Sequence, residues 1–76
     1  MKLRKLGSNQ TEISVGDNLV LFSYNTPVAA WVRGRGWLRT EQKFSKTTTK
    51  HINAWLGKNT GTVVPQAEIE GVCKTV

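Results

Sequence analysis

At Ser45 the spacing of apolar residues changes, and no other feature of this chain restricts its fold as much. From Thr11 to Phe44 the apolar and β-branched residues come in short runs, partly alternating and separated by clusters of Gly, Pro, Asn and Asp, the pattern of strands joined by turns. Beyond Ser45, Thr48, Ile52, Trp55 and Leu56 recur at intervals that place them along one side of a helix. Strands first and a helix after them point to an α+β domain rather than to alternating βαβ units.

Each segment has its own local reason. Ile13 and Val15 share one face of a short strand over Thr11 to Val15, and Gly16-Asp17-Asn18 turns the chain. Leu19 to Tyr24, rich in β-branched and aromatic types and free of Gly and Pro, is the best strand and is expected at the centre. Asn25-Thr26-Pro27 stops it, because proline fixes φ and lacks a ladder donor. Val28 to Arg33 and Trp37 to Lys43 flank Gly34-Arg35-Gly36, whose glycines permit positive φ, so the pair reads as a hairpin. On its second arm Trp37, Arg39, Glu41 and Lys43 share a face expected to be wet, and Leu38, Thr40, Gln42 and Phe44 share a half-buried one.

Ser45 is a good N-cap and Gly57 a good C-terminal stop for the helix between them. Thr47, Thr48 and Thr49 are poor helix formers, so this helix depends on packing of Ile52, Trp55 and Leu56. Asn59 to Gly61 reads as a turn. Val63 to Gly71 alternates Ala67 and Ile69 against Gln66, Glu68 and Glu70, and Pro65 makes it an edge strand. The expected order is ββββαβ: a small antiparallel β-meander or partial barrel with one packed helix, a single domain over residues 1–76.

Size and composition narrow the function. Leu, Ile, Val and Phe make up 19 of the 76 residues, above the level of roughly 20% that marks disorder. A chain this short buries only about 60% of its unfolded surface, which leaves little room for a large enclosed site. Cys73 is the lone cysteine and His51 the lone histidine, so neither an internal disulfide nor a Cys/His metal set is expected. The longest apolar runs, Leu19 to Phe22 and Val28 to Val32, are too short to span a bilayer. A reducing cytoplasm is the expected setting, with no membrane and no cofactor.

Charge is the strongest functional signal. The net charge is +6, and residues 33–58 alone carry +6, with Arg33, Arg35, Arg39, Lys43, Lys46, Lys50 and Lys58 opposed only by Glu41. Trp31, Trp37, Phe44 and Trp55 lie among those cations. Basic residues interleaved with aromatics can contact phosphates and stack bases. The plainer reading makes the aromatics core and the cations a solvated face.

Two stretches, Leu21-Phe22-Ser23-Tyr24-Asn25-Thr26-Pro27-Val28-Ala29 and Thr47-Thr48-Thr49-Lys50-His51-Ile52-Asn53-Ala54-Trp55-Leu56, carry a family resemblance. The chain resembles small bacteriophage-encoded proteins of unknown function, in which a Ser-Tyr-x-Thr-Pro-Val-Ala strand end precedes a Ser-x-Thr-Thr-x-x-His-Ile helix start. The resemblance covers about half the chain and implies a phage origin and the host cytoplasm, with no activity and no site residue to carry over.

The residues offer little for catalysis. His51 has no carboxylate or nucleophile near it in sequence and reads as a helix neighbour of Trp55. Glu68 and Glu70 read as a solvated face, and Gly34-Arg35-Gly36 lacks the context of a phosphate loop. No catalytic or metal-binding residue is expected. The expected function is that of a small non-enzymatic accessory protein, binding nucleic acid through Arg33, Arg35, Trp37, Arg39, Lys43, Lys46 and Lys50 on a basic hairpin and the helix N-terminus. The alternative is a module that docks on, or inhibits, a host enzyme or phage complex through the same Arg and Trp anchors. A homo-oligomer whose exposed aromatics form its interface is a third reading.

Overall fold

The structure, a computed structural model, describes residues 2–7, 9–57 and 59–74, with backbone only for Lys2, Cys73 and Lys74. The chain runs β1 (Lys2–Gly7), β2 (Gln10–Val15), β3 (Asn18–Ser23), β4 (Thr26–Val32), β5 (Gly36–Thr40), α1 (Lys46–Leu56), β6 (Thr62–Val64) and α2 (Gln66–Lys74). The six strands form one open sheet in sequence order. The first five make an antiparallel meander, and β6 joins β5 in parallel. Parallel neighbours need a crossover, and α1 supplies it.

The α+β class and the meander are as expected, and β3 lies inside the sheet between β2 and β4. Several elements differ from the sequence reading. Residues 2–7 form a strand although Leu3 and Leu6 do not alternate; β1 gains its ladder by pairing with β2, with Leu3 opposite Ile13 and Arg4 opposite Glu12. The turn after β3 is Tyr24-Asn25, one residue early, with Tyr24 at φ 59°. Thr26 and Pro27 belong to β4, because the register shifts between Leu21 and Phe22, and such an irregularity tolerates a missing N–H.

The expected edge strand over Val63 to Gly71 is instead a three-residue strand and a nine-residue helix. Pro65 closes the strand, and Ile69 and Val72, three apart, then face the sheet from a helix of good formers such as Ala67, Glu68 and Glu70. Alternation over so few residues fits either period, and packing decides between them.

The second helix changes the layering. The sheet is covered on both faces, by α1 over β3 and β4 and by α2 over β3, β4 and β5. Val15, Val20, Ala30, Leu38 and Val64 pack with Ile69 and Val72 of α2. On the opposite face Leu21, Val28 and Ala29 pack with Ile52 and Leu56 of α1. Strand alternation divides β5 likewise: Leu38 and Thr40 are buried, and Trp37 packs against the α1 cluster rather than standing in water. β5 also stops at Thr40, and residues 41–45 form a connection in which the Gln42 N–H donates to Thr40 Oγ1.

Helix α1 begins and ends where expected. The Thr48 N–H donates to Ser45 Oγ at 3.2 Å, and Gly57 at φ 61° donates its N–H to the Asn53 carbonyl. No described helix is long and apolar enough to cross a membrane.

Candidate functional site

The seven residues expected to contact nucleic acid occupy distinct places. Arg33 and Arg35 sit in the turn between β4 and β5. Arg33 Nη1 donates to Asp17 Oδ2 at 3.0 Å, in the turn between β2 and β3, and Arg35 Nη2 donates to Glu68 Oε2 at 3.0 Å, on α2. Both cations of the hairpin tip therefore face a carboxylate. These exposed pairs add little to stability, but they lower the charge the tip presents.

Arg39, Lys43 and Lys46 come together. Arg39 is on the α1 face of β5, Lys43 is in the connection, and Lys46 opens α1; with Phe44, Thr48 and Ile52 they line an open groove of about 400 Å³. Glu41 also lines it. Among the described residues none of these three cations forms an ion pair; Arg39 Nη1 donates to the amide oxygen of Asn53 at 3.4 Å. Lys50 is exposed one turn further along α1 and does not line the groove, and Lys58 lies outside the described residues. The helix start beside the groove is capped, since Ser45 accepts the Thr48 N–H.

Trp37 is joined by two other indoles. Trp31 is its direct partner across β4 and β5, and Trp55 of α1 meets it edge to face, with centroids 5.2 Å apart and planes at 80°. Trp55 is fixed in turn, because its indole N–H donates to Glu12 Oε1 at 2.8 Å. All three rings are half-buried. The Trp31 partnership depends on where the turn falls: it occupies residues 33–35 rather than the expected Gly34-Arg35-Gly36, so Val32 pairs with Gly36 and Trp31 with Trp37, where the expected turn would have set Arg33 opposite Trp37.

A buried polar cluster was not. Ser23 Oγ lies 2.8 Å from His51 Nδ1 and 3.0 Å from Thr48 Oγ1, joining β3 to α1. Ser45 Oγ donates to Thr48 Oγ1 at 3.3 Å. The arrangement in which each hydroxyl donates once runs Ser45 to Thr48 to Ser23 to His51, with the imidazole accepting at Nδ1. Ser23 is 2% exposed, so a substrate has no approach to its hydroxyl. His51 thus contacts a serine across the fold, with Tyr24 tilted over its ring at 6.2 Å. Among the described residues no three of His, Cys, Asp and Glu gather where they could hold a metal. The side chain of Cys73, the lone cysteine, lies outside the described residues.

Fold and site together define a small α+β domain, an open sheet between two helices, with a basic groove and three indoles on the α1 side. The chain belongs to the Family of unknown function (DUF8033), which it matches over residues 1–71. No curated protein and no solved structure matches it.

Proposed function

We propose that this chain is a small, non-enzymatic accessory protein that binds nucleic acid through the groove lined by Arg39, Lys43 and Lys46. One observation carries the reading: three cations from separate stretches converge on one open groove and, among the described residues, none forms an ion pair, although Glu41 also lines it, while the tip arginines are held by Asp17 and Glu68. Unpaired cations release counterions from a polyanion, whereas paired ones must first give up a carboxylate. The resemblance to small phage proteins extends the proposal to a phage origin and a site of action in the host cytoplasm.

A salt-graded binding assay with a labelled oligonucleotide tests it. Three phosphate contacts give a slope of log K against log salt of about −2 to −3, and the double variant Lys43→Ala/Lys46→Ala brings it to about −1. Arg33→Ala and Arg35→Ala leave the slope unchanged. A flat salt dependence in the wild type overturns the reading, and capture of one host protein that survives nuclease treatment replaces it with a docking module.

A further inference from the structure

The register places the indoles in a row. On the α1 face, Leu19 lies opposite Trp31 and Trp31 opposite Trp37, while the neighbouring row on the same face holds Glu12, Leu21, Ala29 and Arg39 in turn. Helix α1 packs over the second row through Ile52 and Leu56. Its Trp55 meets the first row at Trp37, the two rings edge to face.

Trp31 is left differently from the other two rings. It joins neither hydrophobic cluster, and its indole N–H has no hydrogen-bond partner among the described residues, whereas Trp37 and Trp55 pack against the α1 cluster. A large ring on a sheet face, half open, is not being used as core. The charge near it is mostly positive, with Glu41 the carboxylate that shares the groove. Arg39 stands two residues from Trp37 on the same face, roughly 7 Å along the strand, and opens onto Lys43 and Lys46. Glu12, the carboxylate of the neighbouring row, is taken up by the Trp55 N–H.

We infer that the Trp31 and Trp37 face takes single-stranded nucleic acid, with bases stacked on the indoles and phosphates on Arg39, Lys43 and Lys46. The inference rests on the polyanion reading above and narrows it. Duplex bases are already stacked on one another and cannot lie on a side-chain ring, whereas a single strand offers a π-face at every base. Arg39 on the same face, the lysines of the groove it lines and the net charge of +6 set a polyanion above an apolar or basic peptide as occupant.

Three probes separate the layers of this inference: oligo-dT, a duplex of equal length, and heparin, which has charge and no bases. The single strand is expected to bind tightest and to quench tryptophan fluorescence. Trp31→Ala is expected to weaken oligo-dT binding by roughly 5- to 150-fold, the range for one stacked base, with duplex and heparin binding unchanged. Trp31→Phe, which keeps a ring, recovers most of the loss, and a circular dichroism spectrum matching wild type shows that both variants fold. Equal binding of all three probes, indifferent to Trp31→Ala, overturns the single-strand inference and leaves the groove reading standing. Binding of none overturns both. A Trp31-dependent dimer in light scattering, with oligo-dT affinity untouched by the substitution, also overturns the inference.

Discussion

Ser23 on β3 holds His51 on α1: the hydroxyl and Nδ1 are 2.8 Å apart across 28 residues of sequence, and the same hydroxyl meets Thr48. The contact seats the first half of the helix on the sheet, where the threonine-rich turns have weak helical preference of their own. With Ile52 and Leu56 packing the second half, α1 is pinned along its length, and the groove beside its first turn keeps its shape.

Ser23→Ala removes one hydroxyl and leaves two enclosed polar groups, His51 Nδ1 and the Thr48 hydroxyl, each short of a partner. The expected cost is about 1–3 kcal/mol, read as a lower urea midpoint at unchanged m. Thr48→Val alone is costly for the same reason, and the double variant costs less than the two single losses added together. Strict additivity would show that the three side chains do not act as one network.

Ser45→Ala deletes the cap of α1 and the donor to Thr48. About 1 kcal/mol of stability is expected to go with it, and Ser45→Asp is expected to retain most of the wild-type value by accepting the Thr48 N–H. Thermal unfolding followed at 222 nm measures both.

Gly57 ends α1 at φ 61° and ψ −122°, a backbone region that side-chain-bearing residues rarely adopt, although a Cβ there would meet no atom within 4 Å. Gly57→Ala is therefore expected to cost about 1–3 kcal/mol through backbone strain alone. A variant as stable as wild type would show that the chain leaves the helix by another path.

Asp17→Asn with Glu68→Gln frees Arg33 and Arg35 without removing a cation. Stability is expected to change by less than about 1 kcal/mol, since both pairs are exposed. Affinity for oligonucleotides is expected to rise at low salt, with a slope steeper by up to about 1.4 to 1.8 if both arginines then reach phosphates. An unchanged affinity would place the hairpin tip outside the nucleic-acid path.

Glu12→Ala takes away the acceptor that anchors the Trp55 indole. The expected cost is about 1 kcal/mol, with a shift in tryptophan emission, while Glu12→Gln keeps an acceptor in place and changes both less. Emission identical to wild type in Glu12→Ala would show that the edge-to-face contact with Trp37 alone orients the ring.

Much of the local structure was legible in the residues because its causes act over a few positions. Alternation marked β2, an unbroken run of β-branched and aromatic types marked β3, Ser45 and Gly57 bounded α1, and the glycines at 34 and 36 marked the hairpin of β4 and β5, whose turn falls one residue earlier than expected and so sets Trp31 opposite Trp37. The basic character of positions 33–58 belongs to the sequence as well.

The tertiary structure decided what depends on partners far along the chain. Residues 2–7 became a strand only by pairing with β2, and residues 66–74 became a helix because Ile69 and Val72 had a sheet face to cover. The cations were divided by contacts of the same kind, Arg33 with Asp17 and Arg35 with Glu68 across 16 and 33 residues, leaving Arg39, Lys43 and Lys46 to share the groove. Periodicity and capping are written into neighbouring residues, whereas ion pairs and buried hydroxyl networks exist only once strand register and helix placement bring their members within reach.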